Sequence, residues 1–479
     1  MNADQSTRRD FLLGSAAAGA ALLAGPGESG AGLLLPASAV AAGRTEPTKV
    51  GKTFGNLLKS VNGYPDRETF TLLQRVAASP RTTNQMVEVA YGMLGGYGAT
   101  GSELPQSIPP APALAFPADN GQHYGAQVEW YYLSLSLELD NGALVSVVAT
   151  FLRTRIGGPV IRGISPLDQQ LYSTSVGITV ENLPGQADAH YAVPPSTFYP
   201  PTGGVAVSNH PFELTLGKNS IRGGREAFPL RVQLVAAPDR SIGLPPIEVS
   251  VTCAATNPPF LQGKDGYVGA PGAQSYYYYS WPQQRTTGTV RIAGKRHTAR
   301  GITWMDHQWG SFPPPKPGSR PLGPGGWSWF EFQFEGNRSL TLSFPHNELN
   351  NGKLPSPSQG FGTYVDGRSS TLLGATMTIP ESARYGRSPV TGALYPTQWD
   401  IRTIEPSIHV VPKVAVEPST LSFASRQEYS EAACTAVATL PSGSRVTGVG
   451  TCETVGMEAP AHYKARAVAY LKAGLRGRA

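Results

Sequence analysis

The sequence predicts an all-β chain folded as two antiparallel β-barrels or sandwiches in tandem, behind a short helical extension. Three observations carry this. From residue 113 onward, apolar and polar residues alternate at the period of two that a strand imposes. Gly 55 and Pro 43 among 479 residues supply the turns of such a chain, while a charged fraction of 15% is too low for a disordered one. Roughly sixteen or more strand-like runs exceed one comfortable open sheet, and no repeat of about 34 or 42 residues marks a solenoid or propeller.

Residues 1–42 stand apart. "STRRDFLLG" places Arg8 and Arg9 before an apolar Ala/Leu/Gly run that ends in "PASAVAA", the pattern of a twin-arginine export signal. Glycines and Pro26 break up that run, which is too short to span a membrane comfortably. The expected partner is the twin-arginine export machinery, and the expected location is periplasmic or extracellular. Residues 43–112 combine helical spacing in "GNLLKSV", "ETFTLLQRVAAS" and "RTTNQMVEVAYGMLGG" with the connector "SELPQSIPPAPALAFP".

The first strands are the clearest. "QVEWYYLSLSLELDNGALVSVVATFLRT" is two alternating runs joined at Asp140-Asn141-Gly142, a strong hairpin signal. Strand-like runs continue through "IEVSVTCAA", "YYYYSW", "GTVRIAG", "HTARGITWMD", "WSWFEFQF", "SLTLSF" and "AACTAVATL". The net charge of +6 is scattered except at Lys464, Arg466, Lys472, Arg476 and Arg478, so residues 461–479 read as a frayed basic tail. Membrane contact is then peripheral at most, and no nucleic-acid motif is present. In an exported protein, three cysteines raise the question of a disulfide. Cys434 and Cys452 are equidistant from Gly443, which would set them opposite each other on a hairpin and bonded.

Candidate chemistry gathers in "ITWMDHQWGSF" and "WSWFEFQF". Strand parity puts Trp304, Asp306 and Gln308 on one face and Met305, His307 and Trp309 on the other. It likewise groups Trp327, Trp329, Glu331 and Gln333. Glu129 falls on an apolar stripe with Tyr131, Leu133, Leu135 and Leu137, so it must be paired or shifted in pKa. Pairing about the Asn141-Gly142 turn brings Arg153 or Arg155 within its reach, a structural role that Trp130 would share. The sequence shows neither a phosphate loop, nor a nucleophile elbow, nor His/Cys metal spacing, so we expect no metal and no cofactor.

"FPADNGQHYGAQVEWYYLSLSLELDNG", "SYYYYSW", "TARGITWMDHQWGSF", "GWSWFEFQFEGNRSLTLSF", "YPTQWDI" and "VTGVGTCETVG" together resemble the carotenoid hydratase and kievitone hydratase superfamily over roughly residues 115–457. The resemblance implies two lipocalin-like barrels, at 113–283 and 286–460, with a ligand site between them. It also implies cofactor-independent addition of water to an isoprenoid or prenyl double bond. By position, the aromatic-x-Asp element of the hydratases matches Trp304 and Asp306. The His-x-Trp element falls in "YYYYSW", where this chain has only tyrosines, Ser280 and Trp281.

The roles that follow make Asp306 the acid, with Trp304 and Trp329 as walls facing the cation. Tyr279, His307 or Glu331 would orient water, and Tyr277, Trp281, Trp309 and Trp327 would line the site. The partner is then a hydrophobic small molecule. A non-catalytic carrier of such a ligand and a pericyclase are the rival readings. The proline- and glycine-rich loop between Ser311 and Gly326 reads either as a semi-rigid lid or as a surface loop without a role.

Overall fold

The Asp140-Asn141-Gly142 turn forms as expected: Gly142 takes φ 83°, and Asn141 Oδ1 accepts the Ala143 amide at 3.2 Å. The flanking strands Val128–Leu139 and Leu144–Arg155 then pair with Glu129 opposite Arg153. The computed structural model describes residues 46–61, 63–94, 114–156, 166–224, 227–263, 265–269, 275–311, 326–346, 349–350, 352–416, 420–421 and 428–477. The residues read as an export signal and those between Ser311 and Gly326 read as a lid both fall outside the described residues.

One sheet runs Ala189–Phe198, Gln170–Glu181, Leu144–Arg155, Val128–Leu139, Lys295–Ser311, Ser275–Ile292, Ile247–Ala254, Leu230–Ala236, Asn219–Arg222, Phe212–Leu216, Val205–Asn209. It curls into a nearly closed 11-strand barrel. The second runs His409–Val414, Asp400–Ile404, Ser369–Thr378, Ser358–Asp366, Arg338–His346, Gly326–Phe334, Arg445–Val455, Tyr429–Thr439. Pairing of His409–Val414 with Tyr429–Thr439 closes these eight strands, so no edge is left in that ring. All these pairs are antiparallel.

Each barrel fills its interior with one parity of its strands. Leu133, Leu135, Leu137, Val147, Phe151 and Met305 are in the first core; Phe330, Phe332, Phe334, Leu340 and Trp399 are in the second. The other parity meets between the barrels, where Tyr132, Val148, Phe260 and Trp304 pack with Val365 of the second barrel. Burying each such aromatic contributes roughly 1.5–3 kcal/mol, so the outward faces of two sheets become an interface rather than a wet surface.

Three features differ from the sequence-based expectation. The sheets part between Ser311 and Gly326, not at 283–286: Ser275–Ile292 and Lys295–Ser311 are long partners within the first barrel. Pro282 sits in a register shift between Trp281 and Gln284, where a residue lacking an N–H is tolerated. The C-terminal segment is not frayed. Helix Pro460–Leu475 places Tyr463, Ala467 and Leu471 in one core with Val50, Phe54, Leu73, Met86 and Val87 of the N-terminal helices Lys49–Ser60, Arg67–Ala78 and Asn84–Leu94. Two of its basic residues are engaged there, Lys464 with Asp66 and Arg466 with Glu458. No helix among the described residues is long and apolar enough to cross a membrane.

The third difference concerns the cysteines. The hairpin turns one residue earlier than assumed, with Thr439 opposite Arg445, so Cys434 faces Gly450 and Cys452 faces Ala432. The two sulfurs lie diagonally in the second core, and Cys253, Cys434 and Cys452 are all free thiols.

Candidate active site between the barrels

Strand parity separates the polar residues into two compartments on opposite faces of one sheet. Asp306 lies opposite Tyr132 on one neighbouring strand and Ser280 on the other, and all three face the second barrel. His307, next along, points into the first barrel with Glu129. A single strand thus serves two compartments on opposite faces of the sheet.

In the inter-barrel compartment Asp306 is 4% exposed. Its Oδ1 accepts from Ser280 Oγ at 2.5 Å and Trp304 Nε1 at 2.8 Å, and Oδ2 accepts from the Tyr278 hydroxyl at 2.9 Å. Burial pushes the carboxyl up to about 7, against the pull of those three donors, and the Glu453 charge adds to the rise. Glu331 projects from the facing strand and is fully buried. Burial, reinforced by Asp306, pushes its carboxyl up to about 8. Glu431 is held well above the usual carboxylate range by burial and by Glu453 opposite it; Tyr132 donates to Glu431 and Trp327 donates to Glu453. The rings of Tyr132 and Trp304 lie 5.3 and 6.5 Å from that of Trp329.

The rim of this compartment is partly exposed at Trp130, Tyr278, Gln308, Trp327, Trp329 and Glu453. Asp306 lies two residues inward of Gln308 and Glu331 two inward of Trp329, each about 7 Å along a strand. A ligand entering here would pass aromatic faces first and meet acids beneath. This arrangement can hold a proton near neutral pH in an apolar setting and deliver it to a carbon base.

The compartment inside the first barrel is ionic. Arg153 Nε binds Glu129 Oε2 at 2.9 Å, and His307 Nε2 lies 2.9 Å from Oε1. His123 is stacked on Trp309 at 3.7 Å and bridges Glu129 (2.8 Å) and Asp119 (3.2 Å) with its two nitrogens. Flanked by two carboxylates, His123 is raised above its ordinary value despite its burial. His307 goes the other way, down to about 4, because complete burial outweighs Glu129. Its neutral ring therefore donates Nε2–H to Glu129.

His123, Glu129 and His307 bring three donor atoms within 4.8 Å of one another, the one such group among the described residues. These atoms do not fit a metal well. Arg153 already neutralises Glu129, and every ring nitrogen of the pair is within hydrogen-bond distance of an oxygen, so a cation would displace that network and sit beside a guanidinium.

The structure thus gathers Asp306, Trp304, Trp327, Trp329 and Glu331 between the barrels, with Trp130 at the rim. It places His307, Tyr279, Tyr277, Trp281 and Trp309 with the first core instead. Among the three residues expected to orient water, only Glu331 shares a compartment with Asp306. Tyr279 and His307 lie on the opposite face of the sheet, facing the first barrel's interior with Glu129. Sequence reasoning missed Tyr278 and Ser280, the direct partners of Asp306, and Glu431 and Glu453. The first two were not within reach of counting: pairing about the Ala293-Gly294 turn sets Trp281 against Asp306, and only the one-residue shift between Trp281 and Gln284 brings Ser280 there.

A model of the AttH-like family matches residues 107–457. A crystal structure of a Nitrosomonas europaea protein assigned to AttH (NE1406) superposes with TM-score 0.56 at 21% identity, covering 73% of this chain and 99% of its own. Kievitone hydratase from Nectria haematococca superposes with TM-score 0.51 at 15% identity, covering 73% and 95%. No curated protein sequence matches the chain. At these identities the two likenesses show the paired-barrel fold, and the family match spans most of the chain. The chain belongs to the AttH-like family.

Proposed function

We propose that the cleft between the barrels is the active site of a hydratase-type lyase, adding water to an isoprenoid or prenyl double bond without a cofactor. The observation that carries this reading is Asp306, a carboxyl held near pH 7 by burial among Trp304, Tyr278 and the facing Trp329. The alkene π electrons take the Asp306 proton, leaving the carboxylate and a tertiary carbocation faced by tryptophan rings. Water adds its oxygen to the cation and loses one proton to the Asp306 carboxylate, directly or through Glu331. The sum is H and OH across one C=C bond with the acid restored. The likeness to kievitone hydratase supports the reaction class, and the twin-arginine pattern in residues 1–42 supports action outside the cytoplasm.

The test is incubation with prenylated phenols and prenyl alcohols in heavy-oxygen water. A tertiary alcohol carrying the label, formed by the wild type and not by Asp306→Asn, is the expected result. Unchanged ligand recovered bound to the protein would make it a carrier, and an isomerised, unlabelled product would make it a pericyclase or isomerase.

A further inference from the structure

Four carboxyl groups, those of Asp306, Glu331, Glu431 and Glu453, converge on the aromatic compartment between the barrels, and no cation figures among the groups acting most strongly on the first three. A second observation is independent of their number. Glu331 is 0% exposed, yet neither of its oxygens has a well-formed hydrogen bond among the described residues, although Ser134 and Thr451 lie close enough to pull its carboxyl down against burial. The nearby hydroxyls of Ser134 and Thr451 are bonded to each other at 2.7 Å. A buried carboxyl left short of partners costs stability, and an orphan facing the compartment between the barrels implies that something completes it there.

We propose that the inter-barrel cleft takes a ligand carrying positive charge on an apolar body, an apolar organic ammonium ion, with Glu331 as its buried counter-anion. This rests on the reading of the cleft as the ligand site and adds the ligand's charge. Two features select an organic cation over a metal ion. The donor oxygens of these acids do not come together as a chelating set, since the one group of three close donors among the described residues lies in the first barrel. The walls between the acids are the rings of Tyr132, Trp304 and Trp329, which attract a weakly hydrated ammonium but cannot replace the water of a divalent ion. Without a ligand Glu331, its carboxyl pushed up to about 8, keeps most of its protons at the pH of the test. A bound ammonium stabilises the carboxylate, so binding releases a proton. A ring cation in the same place would be a stable counterpart of the carbocation that hydration passes through.

Isothermal titration calorimetry with decylammonium and 1-decanol, below their aggregation limits at pH 7.5 and in two buffers of different ionisation enthalpy, tests this. Wild type is expected to bind decylammonium at least tenfold tighter than the alcohol, with release of close to one proton. Glu331→Gln should bring the two affinities within about threefold and abolish proton release, and Glu431→Gln should weaken the preference. Glu381→Gln, at an exposed position, should change neither. Equal or tighter binding of the alcohol, an unchanged preference in folded Glu331→Gln, or displacement of decylammonium by calcium alone would overturn the proposal. If neither probe binds, both this proposal and the cleft as ligand site fall. If decylammonium binds as described while no labelled alcohol forms in the hydration assay, the charge preference stands and only the catalytic reading fails.

Discussion

Between its ordinary value of 3.8 and about 7, Asp306 binds more protons in the folded chain than in the unfolded one. Stability therefore falls as pH rises through that window, by up to roughly 4 kcal/mol from this group, and is fully regained below it. Asp306→Asn removes the dependence. Its amide can keep Oδ1 for Ser280 and Trp304 and turn its NH2 to the Tyr278 oxygen. We expect it to melt close to wild type at pH 5 and above wild type at pH 8.5, by scanning calorimetry, while turnover is lost at both. Turnover of the wild type should fall about tenfold per unit above pH 7, as the acid loses its proton. The Glu129 site behaves oppositely. Arg153→Met leaves Glu129 buried with no guanidinium and should cost about 3–5 kcal/mol in urea unfolding; a loss below 1 kcal/mol would mean the ion pair contributes little.

The strands explain both what could be read in the sequence and what could not. Parity alone separated Asp306 from His307 and paired Trp329 with Glu331, because a two-residue period is local. The Glu129–Arg153 pair was legible for the same reason, since a short Asn-Gly turn fixes register. Which faces meet between two barrels is not local, and Glu431 and Glu453, more than a hundred residues after Asp306, carry no signal that points to it. The barrel boundary was misplaced because nothing local shows that the run beginning at Ser275 continues through a bulge at Pro282 as one strand as far as Ile292. The cysteine pairing failed by one residue in a turn, which in a hairpin turns an opposed pair into a diagonal one. Thiol titration of protein unfolded without reductant should therefore count three free cysteines; a count of one would restore the Cys434–Cys452 bond.

At the scale of the molecule, the AttH-like region is wrapped by segments outside it. Helices at 49–94 and 460–475 lie beyond residues 107–457 yet share one core, which also includes Ile156, Leu171 and Tyr199 of the first barrel. The amphipathic spacing of the N-terminal helices was legible, but their partner at the other end of the chain was not. Leu471, fully buried there, should cost about 2–5 kcal/mol when replaced by Ala, with trypsin then cutting the helical segment before either barrel. Everything proposed for the cleft depends on the two barrels burying an acid that still holds its proton near neutral pH. Infrared titration of wild type against Asp306→Asn from pH 4 to 9 reads this directly. The difference spectrum should contain a protonated-carboxyl C=O band that disappears with a midpoint at about 7; a midpoint near the ordinary 3.8 of an aspartate would contradict it.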